Sequence, residues 1–267
     1  MAFEHITYAV DDGVATLTLN MPSRMNALSA ALQLEVTQAL AQVAQDTRVR
    51  VLRLTGAGRA FSVGADLDGL GADDASGRSV GQRTAEQMEA VANPLILALR
   101  ALPVPVLVVL NGAAAGAGAG LALAADVVIA ARSAYFYLPF IPKLGIVPDL
   151  GITWFLPRLI GRSRAMALTL LGDRLSAEQA VQWGVVWACV DDADLDAESM
   201  KLARRLALLP AHGVVEARAA YDHSERSSLA VQLQYESSRQ RELLDRPEFA
   251  EGARAFMQKR GPLFPGR

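Results

Sequence analysis

The chain has 267 residues, 26 basic and 28 acidic side chains, and a formal net charge of −2. Near-neutrality removes the electrostatic footprint of a nucleic-acid or anionic-membrane binder, and a single cysteine, Cys189, excludes an internal disulfide. Apolar residues make up 52%, enough for a sizeable core in one large domain or two small ones.

The first residues include Glu4 and an early β pattern, with no basic segment and no apolar run, so no signal peptide is expected and the cytoplasm is the default compartment. Apolar alternation over 6–10 and 14–19, on either side of Asp11-Asp12-Gly13, predicts a hairpin. A helix is predicted over 29–45, with Ser29 as N-cap and Leu32, Val36, Leu40 and Val43 on one face. A strand over 49–55 follows. Residues 69–81 are rich in Gly, Asp and Ser and read as a mobile loop. A helix over 84–102 ends before Pro103. Next come a strand at 106–110, a glycine turn, a helix over 114–125 and a strand at 127–130. From residue 150 the pattern becomes helical, over 151–159, 162–171, 176–183, 194–209, 211–223, 228–243 and 247–258. One strand at 185–190 interrupts it and holds Cys189 as core filler. The order argues an α/β layer followed by a helical C-terminal part.

The segment from Asn111 to Ala122 is the most informative. A branched apolar strand, Val106 to Leu110, runs into Gly112, Gly116, Gly118 and Gly120 and then into a helix. A helix entered through small residues leaves its first N–H groups open to a ligand and favours negative charge there. The dinucleotide pattern G-x-G-x-x-G fails in both registers, because Leu121 or Leu123 stands where the third glycine belongs. Residues 101–125 are uncharged and long enough to span a membrane, but Pro103, Pro105, Asn111 and four glycines suit a strand and turn better. Tight helix packing without a ligand is the plain alternative.

A second segment of the same kind, Gly56 to Leu67, follows the strand before it. Together the two resemble the enoyl-CoA hydratase/isomerase, or crotonase, superfamily. The resemblance extends to Asn20 through Leu28, Asp126 through Ala130, Gly145 through Gly151, Leu171 through Ala177 and Trp183 through Val186. It implies a spiral of ββα turns in residues 1–200. It also implies a helical region, 201–267, that completes the active site and builds a homotrimer or dimer of trimers. The substrate it implies is an acyl-CoA thioester, with coenzyme A part of the substrate and no metal or other cofactor.

The resemblance further implies that two backbone N–H groups, those of Ala65 and Ala117, hold the thioester oxygen of an enolate. Donors of this type are worth about 3–4 kcal/mol each in other enzymes. The family's hydratases use two glutamates. The position of one is Gly120 here, and the segment aligned with the other, Tyr137 to Pro142, holds no acid. Asp149 remains, between apolar neighbours that favour a raised pKa. Read alone, it fits better as an N-cap for the helix beginning near Gly151; the resemblance reverses that preference. In several isomerase branches of the family this position carries the catalytic aspartate, and the chain resembles the ring 1,2-epoxyphenylacetyl-CoA isomerases of phenylacetate degradation. By position, coenzyme A falls to Arg24, Ala27, Leu28, Asp66 and Leu67, with Phe256 and Lys259 at the adenine and phosphate. Arg24 and Lys259 are otherwise ordinary solvated charges.

Two motifs lead nowhere. Gly77 to Gly81 matches G-x-S-x-G but lacks the strand that a nucleophile elbow requires. His5, His212 and His223 have no metal-ligand spacing. The favoured reading is an acyl-CoA isomerase acting through Asp149; the alternatives are an enoyl-CoA hydratase and a non-catalytic acyl-CoA-binding subunit.

Overall fold

The computed structural model describes residues 3–66, 77–264 and 266. Strands β1 (Ile6–Asp11) and β2 (Val14–Leu19) pair antiparallel, with Ile6 opposite Leu19. Their connection, Asp12-Gly13, has positive φ at both positions, 45° and 76°, which matches the twist of a two-residue hairpin. Helix α1 (Ala30–Gln45) starts where Ser29 accepts the Leu32 N–H, and it buries the expected face of Leu32, Val36, Leu40 and Val43.

Three ββα units follow. The first is β3 (Val51–Gly56) and β4 (Ala60–Ser62), then α2 (Val80–Gln87) and α3 (Asn93–Arg100). The second is β5 (Val106–Leu110), β6 (Ala113–Ala115) and α4 (Ala117–Leu123). The third is β7 (Val127–Ala131), β8 (Tyr135–Tyr137) and α5 (Ile152–Leu171). Then come β9 (Leu175–Ser176), α6 (Ala177–Trp183) and β10 (Ala188–Val190). The first strand of each unit joins a sheet of order β1-β2-β3-β5-β7-β10, and the second joins a sheet of order β4-β6-β8-β9. All pairs are parallel except β1–β2 and β8–β9. The chain therefore advances as a spiral, laying one strand in each sheet per turn. Every residue of β5 is buried, as expected of a parallel strand covered on both faces.

Several expectations are corrected. Strands β4, β6, β8 and β9 were not foreseen, being two or three residues long and too short to show a period. The helix expected over 114–125 begins only at Ala117, because Gly116 takes φ 51°, ψ −130° and Ala113–Ala115 is strand. The helix expected from 84 begins at Val80, where Ser79 and Gln82 form a capping box, and a π turn at Met88–Ala92 separates it from α3. Most of the loop expected over 69–81 lies outside the described residues. The expected division of 151–171 is present inside α5 as a break at Gly161, φ 77° and ψ 157°. The strand expected at 185–190 is reduced to β10.

Helices α7 (Leu195–Ala207), α8 (Gly213–Ser224), α9 (Leu229–Leu244) and α10 (Pro247–Met257) complete the chain. Buried Arg53 on β3 holds α7 through Ser199 at 2.9 Å and Asp196 at 2.5 Å. Arg218 on α8 clasps both oxygens of Asp126, at 2.7 and 2.5 Å, and the carbonyls of Arg100, Leu102 and Val104. A two-pronged arginine of this kind fixes orientation as well as distance.

Candidate active site

The two turns singled out for their glycines meet. Gly64 has φ 94° and Gly116 has φ 51°, both in a region that a side chain disfavours. A methyl group on Gly64 would stand 2.7 Å from the Ala115 carbonyl oxygen and 2.9 Å from the Ala117 nitrogen. Each glycine is followed by an alanine, Ala65 or Ala117, with φ outside the left-handed region. Neither alanine nitrogen donates to a described residue. For Ala117 the reason is its place as first residue of α4, one of the four helix positions without an internal acceptor.

The Gly64–Ala65 turn is held from below. Asn26 is fully buried: its side chain accepts the Met21 N–H at 2.9 Å and donates to the carbonyls of Ala57 and Ala60 at 2.9 and 2.8 Å. The Ser62 hydroxyl donates to the Asn26 carbonyl at 2.8 Å and accepts the Gly64 N–H at 3.2 Å. Leu28 N–H then donates to the Gly64 carbonyl at 2.7 Å. This latch is built of side chains whose types alone did not reveal it, although a buried asparagine beside a strand end is the signal to look for.

Asp149 stands on the turn before α5. The reading of Asp149 as an N-cap fails: the cap position is Gly151, in the left-handed conformation, with no side-chain cap bond. The Asp149 backbone carbonyl accepts the Ile152 N–H at 3.0 Å. Its Oδ1 is buried with no hydrogen-bond partner. Burial raises its pKa from 3.8 to about 6, because low-dielectric surroundings disfavour the charged form.

Ala65, Ala117 and Asp149 line one cavity of about 310 Å³. A face of α2 borders it, with Val80, Arg83, Thr84 and Gln87 spaced at helical intervals, as does Gln33 of α1. Two main-chain N–H groups that donate to no described residue and one desolvated carboxylate in a single cavity form the equipment for taking a proton from carbon beside a carbonyl while the oxygen gathers charge.

A family model described as enoyl-CoA hydratase/isomerase matches residues 9–267. The chain belongs to the enoyl-CoA hydratase/isomerase family. A 1,2-epoxyphenylacetyl-CoA isomerase of Escherichia coli is 44% identical to it, over 99% of this chain and 99% of the relative. A protein of Rhodobacter capsulatus named a probable enoyl-CoA hydratase is 42% identical over 100% of both chains. Among solved structures, an enoyl-CoA hydratase of Bacillus anthracis aligns with TM-score 0.89 at 32% identity, over 99% of this chain and 100% of that one. The fold is accordingly the crotonase fold.

Within this hydratase/isomerase frame, the residues expected to hold coenzyme A divide. Leu28 and Asp66 line the cavity beside Ala65. Arg24 is one step outside it and donates to Asp66 at 2.9 Å. Ala27 is buried next to Leu28. Leu67 lies outside the described residues. Phe256, 83% exposed, and Lys259 lie at and beyond the end of α10 and do not line this cavity. Among the described residues no group of three or more His, Cys, Asp or Glu could hold a metal ion, and no helix is long and apolar enough to cross a membrane.

Proposed function

We propose that the protein is an acyl-CoA isomerase that moves a proton through Asp149 while the Ala65 and Ala117 N–H groups hold the thioester oxygen. The observation that carries this is the Asp149 carboxylate, its Oδ1 buried without a partner and its pKa raised by burial, in the same cavity as two main-chain N–H groups that donate to no described residue. With a 3-enoyl-CoA thioester, Asp149 takes a proton from C2 and the electrons pass to the thioester oxygen, giving a dienolate. The protonated Asp149 returns the proton at C4, leaving the conjugated 2-enoyl product with no net gain or loss of atoms. One carboxylate serves both steps. Ring epoxides of the epoxyphenylacetyl-CoA type are the second substrate class, supported by the 44% identity to an isomerase of that name.

Hydration is the second reading, favoured by the relatives named as hydratases. Against it stands Gly120, where a hydratase glutamate would be expected. Coenzyme A arrives as part of the substrate and no other cofactor is required. We place the protein in the cytoplasm. We also assign residues 201–267 to a homotrimer or dimer-of-trimers interface: α8 and α9 bury no residue within the chain, and Leu229 and Met257 are exposed.

The test is a paired assay of 3-enoyl-CoA isomerisation and crotonyl-CoA hydration, with wild type and Asp149→Asn. The expected result is isomerisation that falls by about 10²–10⁴ in the variant, acyl-CoA binding retained, and little hydration in either. Undiminished isomerisation by Asp149→Asn defeats the proposal. Strong wild-type hydration selects the second reading.

A further inference from the structure

Gly120 lies on α4, one turn beyond the Ala117 donor. A methyl group on it would stand 2.7 Å from the Leu150 Cβ, 2.7 Å from the Leu150 carbonyl oxygen and 3.2 Å from the carbonyl carbon. Two of those contacts are main chain, so no side-chain rotation opens the space. Leu150 is itself 4% exposed and has φ 47°, a left-handed conformation that a Cβ disfavours. A buried residue keeps such a conformation only where its surroundings over-determine it. Here α4 presses from one side. Next in the chain, Gly151 at φ 78° packs so closely on α5 that a methyl group there would stand 2.6 Å from the Phe155 ring.

Asp149 immediately precedes this turn, and no hydrogen bond to its buried Oδ1 aims the carboxylate. Its own main-chain N–H reaches the carboxylate, so its direction follows the backbone that carries it. We infer that Leu150, locked in a left-handed turn against the bare face of α4 at Gly120, is the positioning residue that sets the Asp149 carboxylate relative to the Ala117 donor. The same contact fills the volume that a side chain at 120 would need. The site therefore accommodates one carboxylate, and a glutamate introduced at 120 displaces the Asp149 turn instead of completing a hydratase pair. This inference rests on the acid/base role proposed for Asp149.

The experiment compares Gly120→Ala, Gly120→Glu, Leu150→Gly and Leu150→Met with Asp149→Asn. Each is assayed for 3-enoyl-CoA isomerisation across pH, for crotonyl-CoA hydration and for thermal unfolding. Gly120→Ala is expected to lose about 10²-fold in kcat, the scale of a small misplacement of a reacting group, with KM nearly unchanged. The acidic limb of its pH profile is expected to move toward an ordinary carboxylate, a shift that general loosening of the fold would not produce. Leu150→Gly, which introduces no new atoms, is expected to move the same limb even if Gly120→Ala does not fold. Leu150→Met, which keeps the volume, is expected to retain the wild-type profile. Gly120→Glu is expected to lose isomerisation and gain no hydration. Wild-type kcat and pH profile in both Gly120→Ala and Leu150→Gly would overturn the inference, as would hydration gained by Gly120→Glu. Full turnover by Asp149→Asn would instead overturn the acid/base reading on which it rests.

Discussion

The cavity has one wall whose polar groups are main chain and another whose polar group is a single side chain. On the first, Ala65 and Ala117 present N–H groups, and their own side chains are chemically idle. On the second, Asp149 presents a carboxylate with no partner for Oδ1. The main-chain wall depends on dihedral angles, so its sensitive positions are the glycines before the donors, Gly64 and Gly116 at positive φ. The side-chain wall depends on residue type and on water being kept away, so its sensitive positions are the acid itself and whatever desolvates it. Substitutions one residue apart therefore have opposite logic on the two walls.

The largest effect on the main-chain wall is expected at Gly64. Gly64→Ala places a methyl group against the Ala115 oxygen and the Ala117 nitrogen at a φ that alanine disfavours, and so spoils both donors together. Isomerase kcat is expected to fall by at least about 10²–10³, the cost of losing even one such donor, with the acidic limb of the pH profile unmoved. A variant with wild-type kcat would show that the two turns do not hold the thioester oxygen.

On the side-chain wall the expected effect is one of pH. Asp149 works as a base in its ionised form, and burial raises its pKa to about 6. Isomerase kcat/KM is therefore expected to be level above about pH 7 and to fall about tenfold per pH unit below 6. The residual activity of Asp149→Asn should lack that limb. A limb of the same pKa in Asp149→Asn would assign the titration to another group.

The same shift has a consequence for stability. The folded chain holds the Asp149 proton up to about pH 6, whereas an unfolded aspartate releases it near 3.8. The stability that this contributes is present below about pH 4 and lost as pH rises through 6. At neutral pH the ionised, half-buried carboxylate is a net penalty. The gap sets a ceiling of about 3 kcal/mol, and exposure of part of the group to water in the cavity lowers it to about 1–2 kcal/mol. Asp149→Asn is expected to unfold at higher temperature than wild type near pH 7.5, with the difference vanishing by about pH 4. Equal unfolding temperatures at both pH values would mean that the carboxylate is solvated.

These two walls were unequally legible. Glycines announce backbone geometry, so the paired turns, the Ser29 cap, the Asp12-Gly13 hairpin and the break near residue 161 could be read from residue order. Asp149 could be singled out because it is flanked by apolar residues, but its alternative role as a cap could be discarded only when Gly151 was seen to occupy that position. Leu150 gave no sign of its part: a leucine in an apolar run reads as core, and the left-handed turn it adopts packs against α4, which arrives from elsewhere in the chain. Strands β4, β6 and β8 were hidden for a similar reason, since three residues carry no period and are ordered by their neighbours in the second sheet. Phe256 and Lys259 were assigned by position in the family, and position along the chain does not say which cavity a C-terminal helix faces.

The smallest effect is expected where the main-chain wall meets solvent. Arg24 donates to Asp66 at 2.9 Å with its side chain 37% exposed, so the ion pair itself is worth only about 0–1 kcal/mol. Arg24→Ala should hardly change the unfolding temperature. If Arg24 also contacts the coenzyme A phosphates, the variant should raise KM for acyl-CoA about three- to tenfold at low salt, and less at high salt as the charge is screened. Its kcat should stay near wild type, because a contact made equally in ground and transition states does not accelerate the chemical step. A fall in kcat at constant KM would instead mean that Arg24 acts through Asp66 on the neighbouring Ala65 turn, and would move it from the binding surface to the support of the main-chain wall.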